Sequence, residues 1–311
     1  MAALHVARQA VCEAGWRAED LKEAALVLGT SRGNAAGWLG PWPGRRPFKL
    51  MAASNTIHSE PASAITIEFG ITGPSHVLAS GCAAGLDAIG IAMLLVNSGL
   101  APRALAVAVD LPLVPILLDN YASSGLLAKG NSLDPYHPDT TGFIPAEGAA
   151  AMAIEPGEGI FPRVIHYGCN SDASDPVGMA ADGGRTPELL KMAIQRHGIP
   201  SAVSPHATGT AVQALAEPAA LRQLVGVGSS CKPSIHLLKP FIGHTIGASG
   251  LLESVILARF LKDQQLPPNL PFLSAPEDFN LPNEVLDATG LIYKLSHGMG
   301  GHNALLVLSA P

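Results

Sequence analysis

Residues 79–96 read ASGCAAGLDAIGIAMLLV, where an apolar strand turns abruptly into an apolar helix that begins at Cys82. A thiol at that place lies beside the free N–H groups and the positive end of the helix, which lower a thiol pKa and can hold an oxyanion. The small residues around Cys82 leave room for a substrate. This stretch alone supports a nucleophile and a buried structural thiol equally.

The segments on either side of this stretch alternate between strand and helix. Apolar strands are predicted at Ala24–Leu28 and Ala104–Val109, and a similar order of elements returns in the second half of the chain. Strands that are apolar throughout and alternate with helices indicate a mainly parallel α/β sheet covered on both faces. We therefore expect two α/β halves, residues 1–154 and residues 155–311.

Composition excludes several classes of function. The 311 residues are 48% hydrophobic and 14% charged, with a net charge of -6 and no basic run beyond Arg45-Arg46, which argues against nucleic-acid binding. The apolar stretches are too short to cross a bilayer and the N-terminus has no secretory pattern, so we expect a cytoplasmic location with no membrane span. The four cysteines are widely spaced and predict neither a disulfide framework nor a metal site.

Three further segments place polar side chains in glycine-rich loops. SPHATGTAVQALAE (204–217) contains His206, LLKPFIGHTIGASGLLE (237–253) contains Lys239 and His244, and SHGMGGHNALLVLS (296–309) is a glycine turn before an apolar strand. The glycines allow the backbone to approach a ligand closely. Each segment taken alone fits an ordinary surface loop or core turn at least as well.

Together, five segments resemble the elongating β-ketoacyl-acyl-carrier-protein synthases of fatty-acid and polyketide synthesis. They follow one another in the family's order and spacing: Cys82 before its helix, GFIPAEGA (142–149), HATGT (206–210), KPFIGH (239–244) and HGMGGHN (297–303). The resemblance implies a thiolase-like fold, with two related halves in an α-β-α-β-α layered arrangement. Because the family's opening βα unit has no counterpart, the first half is expected to be truncated at its N-terminus.

The resemblance assigns roles to four catalytic positions. The family's cysteine at the position of Cys82 takes the growing acyl chain from a carrier-protein thioester. Histidines matching His206 and His244 polarise the malonyl thioester and stabilise the enolate left by decarboxylation, and Lys239 matches a lysine that supports them electrostatically. The reaction implied is a decarboxylative Claisen condensation.

Further positions match the family's supporting residues. Backbone N–H groups of Cys82 and Met299 match its oxyanion hole, and Tyr121 matches a position near the acyl pocket. The residues matching the phosphopantetheine path are Thr208, Thr210 and Met299, and those matching supporting carboxylates are Glu147, Glu217 and Glu253. The resemblance requires no metal or bound cofactor, because the phosphopantetheine arrives on the acyl carrier protein. The expected partners are that carrier protein and an identical or ketosynthase-type subunit in a dimer.

The chain departs from the family pattern around this centre. The family's HGTGT loop reads HATGT here, and Ala214 stands where the family has an acidic residue. In the glycine turn, His297 and Met299 replace two phenylalanines, and His302 replaces a threonine. These changes leave two alternatives to the condensing enzyme. One is a chain-length-factor-like partner of a ketosynthase, and the other is a ketosynthase-like acyltransferase or thioesterase that passes its acyl group to another nucleophile.

Overall fold

A computed structural model describes residues 1–39, 57–130, 132–224 and 232–311, so Cys231 and the Arg45-Arg46 pair lie outside the described residues. The chain forms two compact units. Unit 1 comprises Met1–Ser124, Pro145–Gly157 and Thr245–Leu252, and unit 2 comprises Gly125–Ile144, Glu158–His244 and Glu253–Pro311. Two halves that meet between residues 154 and 155 were expected from the sequence, whereas these units are interleaved along the chain.

Unit 1 contains a four-stranded sheet. Its strands are β1 (Ala25–Gly29), β2 (Ser75–Leu78), β3 (Ala104–Asp110) and β4 (Gly148–Ile154), in the order β2-β1-β3-β4. β1 pairs in parallel with β2 and β3, and β4 pairs antiparallel with β3. β1 and β3 are buried along their whole length, as their unbroken apolar sequences predict.

Helices cover this sheet. They are α1 (Ala2–Ala14), α2 (Ala18–Lys22), α3 (Ala35–Leu39), α4 (Glu60–Phe69), α5 (Ala84–Asn97) and α6 (Pro115–Ser123). α1 packs its buried face on the sheet, where Ala7 and Val11 join the core cluster of Leu26, Leu28 and Leu105. α5 is the predicted apolar helix after Cys82. Ten of its residues are buried, and they lie on more than one side of the helix.

Unit 2 contains a five-stranded sheet and a short two-stranded ribbon. The strands are β5 (Arg163–Ser171), β6 (Ala202–Ser204), β7 (Ser234–Ile235), β8 (Gln265–Leu266), β9 (Leu286–Asp287), β10 (Ile292–Gly298) and β11 (His302–Ser309). The larger sheet has the order β5-β11-β10-β6-β7, and β8 pairs with β9. β10, β6 and β7 are parallel, whereas β11 runs antiparallel to β10 and β5.

The helices of unit 2 are α7 (Thr186–His197), α8 (Ala211–Leu221) and α9 (Lys239–Ile242), and α10 (Ser249–Lys262) lies in unit 2 from Glu253 onward. The core packs α7 against the sheet through residues such as Leu190, Val203, Tyr293 and Leu305. Among the described residues, the helices are all too short or too polar to cross a bilayer.

The α/β prediction is confirmed, and most strands of each sheet run in one direction as expected, but each sheet also contains one strand of opposite direction, β4 in unit 1 and β11 in unit 2. In unit 2 the glycine turn after His297 joins β10 directly to β11. A connection this short can join only antiparallel neighbours, because parallel strands need a long crossover. Each sheet is therefore mixed: β4 opposes the other three strands of unit 1, and β11 opposes the other four strands of the larger sheet in unit 2.

The contact between β1 and α5 supplies a test of this packing. A Cβ on Gly29, the last residue of β1, would lie 2.3 Å from the backbone oxygen of Ala84 at the start of α5. We expect Gly29→Ala to lower the free energy of unfolding by about 3 kcal/mol in chemical denaturation, because backbone must move to admit the methyl group. Gly159→Ala is the control, since no atom lies within 4 Å of its Cβ position. Equal stability of the two variants would contradict the packing.

Candidate active site

Cys82 occupies the position that its sequence predicts, between strand and helix. It is the central residue of a 3₁₀ turn, Gly81–Ala83, that runs directly into α5, and only 6% of its surface is exposed. Gly81 has φ of 60°, a conformation that glycine adopts without strain. The turn thus sets the thiol at the N-terminal end of a long apolar helix in unit 1.

Asp110 fixes the backbone around this turn. Its carboxylate accepts hydrogen bonds from the Thr30 hydroxyl at 2.9 Å and from the backbone N–H groups of Ser31, Arg32 and Gly247 at 2.9, 3.0 and 2.7 Å. Gly247 belongs to the turn Ile246–Ala248, whose backbone lies so close to α5 that a Cβ on Gly85 would be 2.8 Å from the Gly247 oxygen.

Burial raises the pKa of Asp110, while the hydrogen bonds from Arg32 and Ser31 oppose that rise. A carboxylate at the carboxyl end of a parallel strand therefore orders two loops beside the start of the Cys82 helix.

His206 lies in unit 2, in the loop after β6, and is 3% exposed. Its backbone is held by Glu217 of α8, whose carboxylate accepts hydrogen bonds from the N–H groups of His206 and Ala207 at 2.6 and 2.8 Å. The hydroxyl of Tyr136 donates a further bond to Glu217 at 2.9 Å. The loop is consequently rigid where it presents the imidazole.

His244 faces His206 within the same unit. The two rings meet edge to face with centroids 5.4 Å apart, and the Phe143 ring contacts His244 in the same manner at 5.1 Å. The His244 N–H donates to the Ile144 oxygen at 2.7 Å. The GFIPAEGA and KPFIGH segments, separate in the sequence, therefore meet at this histidine.

Behind the histidines lies a buried cluster of three charges. Glu253 of α10 accepts hydrogen bonds from the Lys239 and Lys294 ammonium groups, each at 2.6 Å, and all three side chains are at most 1% exposed. Lys294 also donates to the backbone oxygens of Pro205 and Leu295 at 3.2 and 2.8 Å. Burial opposes ionisation of Glu253, yet the charges of Lys239 and Lys294 lower its pKa.

This environment keeps the histidine pair neutral. Burial lowers the pKa of His206 far below its usual value, and the charges of Lys239 and Lys294 lower it further. Burial also depresses the pKa of His244, with Lys239 and Lys294 adding to the effect. At neutral pH each imidazole carries one proton and can donate a single ring hydrogen bond.

His297 replaces the phenylalanine expected at the start of the glycine turn and joins the same cluster. Its ring packs 5.5 Å from that of His206, and its two nitrogens bond Gln213 at 2.7 Å and Thr186 at 3.2 Å. Burial lowers the pKa of His297 to about 3. A polar ring thus fills this position in neutral form.

The remaining predicted residues are divided between the units. Thr208 is buried, and its hydroxyl is 3.5 Å from that of Thr210 at the start of α8, while Met299 is half-buried in the turn between β10 and β11. In unit 1, Glu147 is exposed and accepts a hydrogen bond from the Leu113 N–H at 3.1 Å. Their predicted roles in substrate binding and support stay predictions.

Sequence reasoning missed three residues of these clusters: Lys294, Asp110 and Tyr136. Lys294 had one signal, a single charged residue inside the apolar run LIYKL of β10. Asp110 had another, an acid that directly ends the apolar strand ALAVAVD. Tyr136 lies in PYH (135–137), where the resembled family reads PFD, but its bond to Glu217, 81 residues away along the chain, had no local signal.

Two family models cover most of the chain. Residues 1–158 match the model for the β-ketoacyl synthase N-terminal domain, and residues 162–273 match the model for the C-terminal domain. The chain belongs to the β-ketoacyl synthase family. It is a condensing enzyme of the β-ketoacyl-acyl-carrier-protein synthase type, as the five sequence segments predicted.

Similar proteins agree with this membership. The chain is 28% identical to 3-oxoacyl-[acyl-carrier-protein] synthase 2 of Rhizobium meliloti (strain 1021), over 98% of its own length and 79% of the relative's. It is 27% identical to the Staphylococcus aureus protein of the same name, over 78% of the chain and 65% of that protein. The chain therefore spans about two thirds to four fifths of these relatives.

Solved structures confirm the thiolase-like fold. A chain of the AntDE:AntF ketosynthase complex superposes on this protein with a TM-score of 0.89 at 24% identity, and the match covers 99% of this chain and 84% of that chain. The module 6 ketosynthase of the bacillaene synthase from Bacillus subtilis 168 gives 0.84 at 20% identity, with 99% and 58% covered.

The buried charge of Lys294 leads to a prediction about the protonation of the two histidines. We expect Lys294→Met to raise the pKa of both His206 and His244, because it removes a positive charge from a cluster that retains Glu217 and Glu253. The measurement is a histidine NMR titration between pH 4 and 8, a range set by the usual histidine pKa of about 6.5.

A stability measurement gives the same comparison independently. The depressed histidine pKa values mean that the unfolded chain binds protons below about pH 6.5 that the folded chain does not, so stability falls as pH drops. This fall should be shallower in Lys294→Met. Lys262→Met, an exposed lysine of α10, should leave both measurements unchanged. Unshifted histidines in Lys294→Met would contradict the electrostatic coupling.

The backbone conformation of Ala207 in the HATGT loop leads to a prediction about stability. Ala207 has φ of 46°, a conformation that disfavours any residue with a Cβ, and Glu217 holds its N–H in place. We expect Ala207→Gly to raise the free energy of unfolding by about 1 kcal/mol, measured by chemical denaturation. Ala214→Gly, inside α8, should instead lower it by about 1 kcal/mol. Destabilisation by Ala207→Gly would show that the loop is not strained.

Proposed function

We propose that the chain catalyses decarboxylative Claisen condensation between an acyl group on Cys82 and a malonyl thioester carried by an acyl carrier protein. The observation that carries this proposal is the buried, neutral and rigidly held pair His206 and His244. Membership of the family supports the same assignment.

The first half-reaction forms the acyl-enzyme. The Cys82 sulfur attacks the carbonyl carbon of the acyl thioester. The bond between this carbon and the carrier's sulfur breaks, and the carrier leaves as a thiol with the proton that Cys82 gives up. The helix N-terminus at Cys82 favours the thiolate that attacks. The backbone N–H groups of Cys82 and Met299 hold the oxyanion that forms on the carbonyl oxygen.

The second half-reaction forms the carbon–carbon bond. The malonyl carboxylate leaves as carbon dioxide, and its bonding electron pair moves to give an enolate whose oxygen accepts hydrogen bonds from His206 and His244. The enolate carbon then attacks the acyl-Cys82 carbonyl, and the cysteine sulfur leaves as thiolate. The product is a β-ketoacyl thioester on the carrier protein, made without a metal or bound cofactor.

The surroundings of His206 favour the tautomer that this step needs. Its Nδ1 is buried and has no hydrogen-bond partner among the described residues. A buried N–H without an acceptor is rarer and costlier than a buried lone pair without a donor. The proton therefore resides on Nε2, from which it can be donated to the enolate oxygen.

Similar proteins guide the proposal about partners. One solved structure is a type II polyketide synthase acyl-carrier protein in complex with its ketosynthase, and another is the ishigamide ketosynthase/chain length factor, which this chain matches with a TM-score of 0.85. By analogy, this chain binds an acyl carrier protein and works as a dimer with itself or with a ketosynthase-type subunit.

Replacing the nucleophile tests the reaction. We expect Cys82→Ala to abolish acylation of the protein and to lower formation of β-ketoacyl product at least about a thousandfold, since the covalent intermediate is lost. Intact-protein and product mass spectrometry, with carrier protein and any co-purifying subunit present, measure both. Cys169→Ala, an exposed thiol, is the control and should match the unmodified chain.

The other outcomes separate the alternatives. Product formation unchanged by Cys82→Ala would overturn the proposal and make the chain a partner subunit of an active ketosynthase. Acylation at Cys82 without a condensation product, but with transfer to water or another nucleophile, would make it an acyltransferase or thioesterase.

A further inference from the structure

Arg32 places a positive charge in a loop beside the start of the Cys82 helix, and the proposed reaction does not use this charge. It lies in the loop after β1, where its backbone N–H donates to Asp110 at 3.0 Å. The same Asp110 binds the Gly247 N–H, and the Gly247 turn packs against α5 at Gly85, three residues after Cys82. Asp110 therefore holds the Arg32 loop next to the start of the Cys82 helix.

Within the part of the chain that the structure describes, the Arg32 guanidinium has no acidic partner of its own. Both oxygens of Asp110 are occupied by the Thr30 hydroxyl and by backbone N–H groups. Nε of Arg32 is buried and lacks a hydrogen-bond partner among the described residues. The Arg32 side chain is only partly exposed, and a guanidinium without a counter-charge gains most from an anion with two oxygens.

Tyr121 of α6 lies against this guanidinium. The Arg32 Cζ atom is 5.9 Å from the centre of the Tyr121 ring, and the tyrosine is 2% exposed. Burial raises the pKa of Tyr121, the charge of Arg32 lowers it, and the charge of Cys82 raises it again. The phenol is thus near enough to both side chains to feel their charges.

We propose that Arg32 and Tyr121 form a subsite for a carboxylate on the acyl group carried by Cys82, so that the enzyme prefers acyl chains ending in a carboxylate over plain alkyl chains. This proposal rests on the acyl-Cys82 intermediate of the proposed function and names its substrate class. The guanidinium supplies paired N–H donors to the carboxylate, and the buried phenol supplies one O–H donor.

Three acyl groups of four carbons each distinguish a carboxylate from other chains. The probes are succinyl, acetoacetyl and butyryl pantetheine with an amide in place of the thioester, so that binding is measured without reaction. We expect the Kd of the succinyl probe to be at least about tenfold lower than that of the butyryl probe, as a charge-assisted hydrogen bond provides. Equal affinities, or tighter binding of butyryl, would overturn the proposal.

Variants assign the preference to the two residues. Arg32→Leu should weaken succinyl binding about tenfold or more and leave butyryl binding unchanged or stronger, whereas Arg32→Lys should retain part of the preference. Tyr121→Phe should weaken succinyl binding by a smaller factor. Arg8→Leu, an exposed arginine of α1, is the matched control and should keep the full preference. A preference unchanged by Arg32→Leu would overturn the assignment.

The acetoacetyl probe and the thioesters complete the test. Tighter binding of acetoacetyl than of succinyl would show that a neutral oxygen is recognised and would reject the carboxylate. Labelling of Cys82 by the corresponding thioesters tests the proposed function separately. If Cys82 is not labelled but the succinyl probe is still preferred, the proposed reaction is overturned and the subsite stands. If Cys82 is labelled but no probe is preferred, the subsite is overturned and the reaction stands.

Discussion

The contact on which the histidine site depends most is the buried carboxylate of Glu253 between the ammonium groups of Lys239 and Lys294. An isolated charge in such a place would be strongly unfavourable, and loss of Glu253 would deprive both ammonium groups of their carboxylate partner. The three side chains come from α9, α10 and β10, so satisfying them fixes these elements against one another. Because Lys294 also bonds the Pro205 oxygen, the same constraint reaches the residue directly before His206.

The charge balance of this interior explains why the histidines remain neutral. Glu217 and Glu253 are both fully buried, and Lys239 and Lys294 supply two opposing charges. A histidine among these groups would gain little by taking up a proton, because burial already disfavours the charged ring and the lysines repel it. A pair of neutral donors is suited to an oxyanion that appears during a reaction and disappears again, since neither ring must change its protonation state.

The sequence alone predicted the elements and site residues that have a pattern in consecutive residues. It predicted the apolar strands, the helix after Cys82 and the five ordered segments. Hydrophobic runs and their periodicity indicate buried strands and helices directly. The strands β6 and β7 have three and two residues and carry no pattern of their own. Lys294 was missed because a lysine inside a strand is ordinarily an exposed edge residue, and only the position of β10 within the sheet shows that it is buried.

The departures of this chain from its family are physically of two kinds. Ala207 stays in a strained backbone conformation because Glu217 and the following loop determine its N–H direction, so that change alters stability more than chemistry. His297 instead acquires partners for both ring nitrogens, Gln213 and Thr186, while its ring packs on His206. A phenylalanine could fill that volume but would leave Gln213 without this acceptor. The substitution is thus part of a hydrogen-bonded set around His206, and such a set limits the movement of that imidazole more than an apolar contact does.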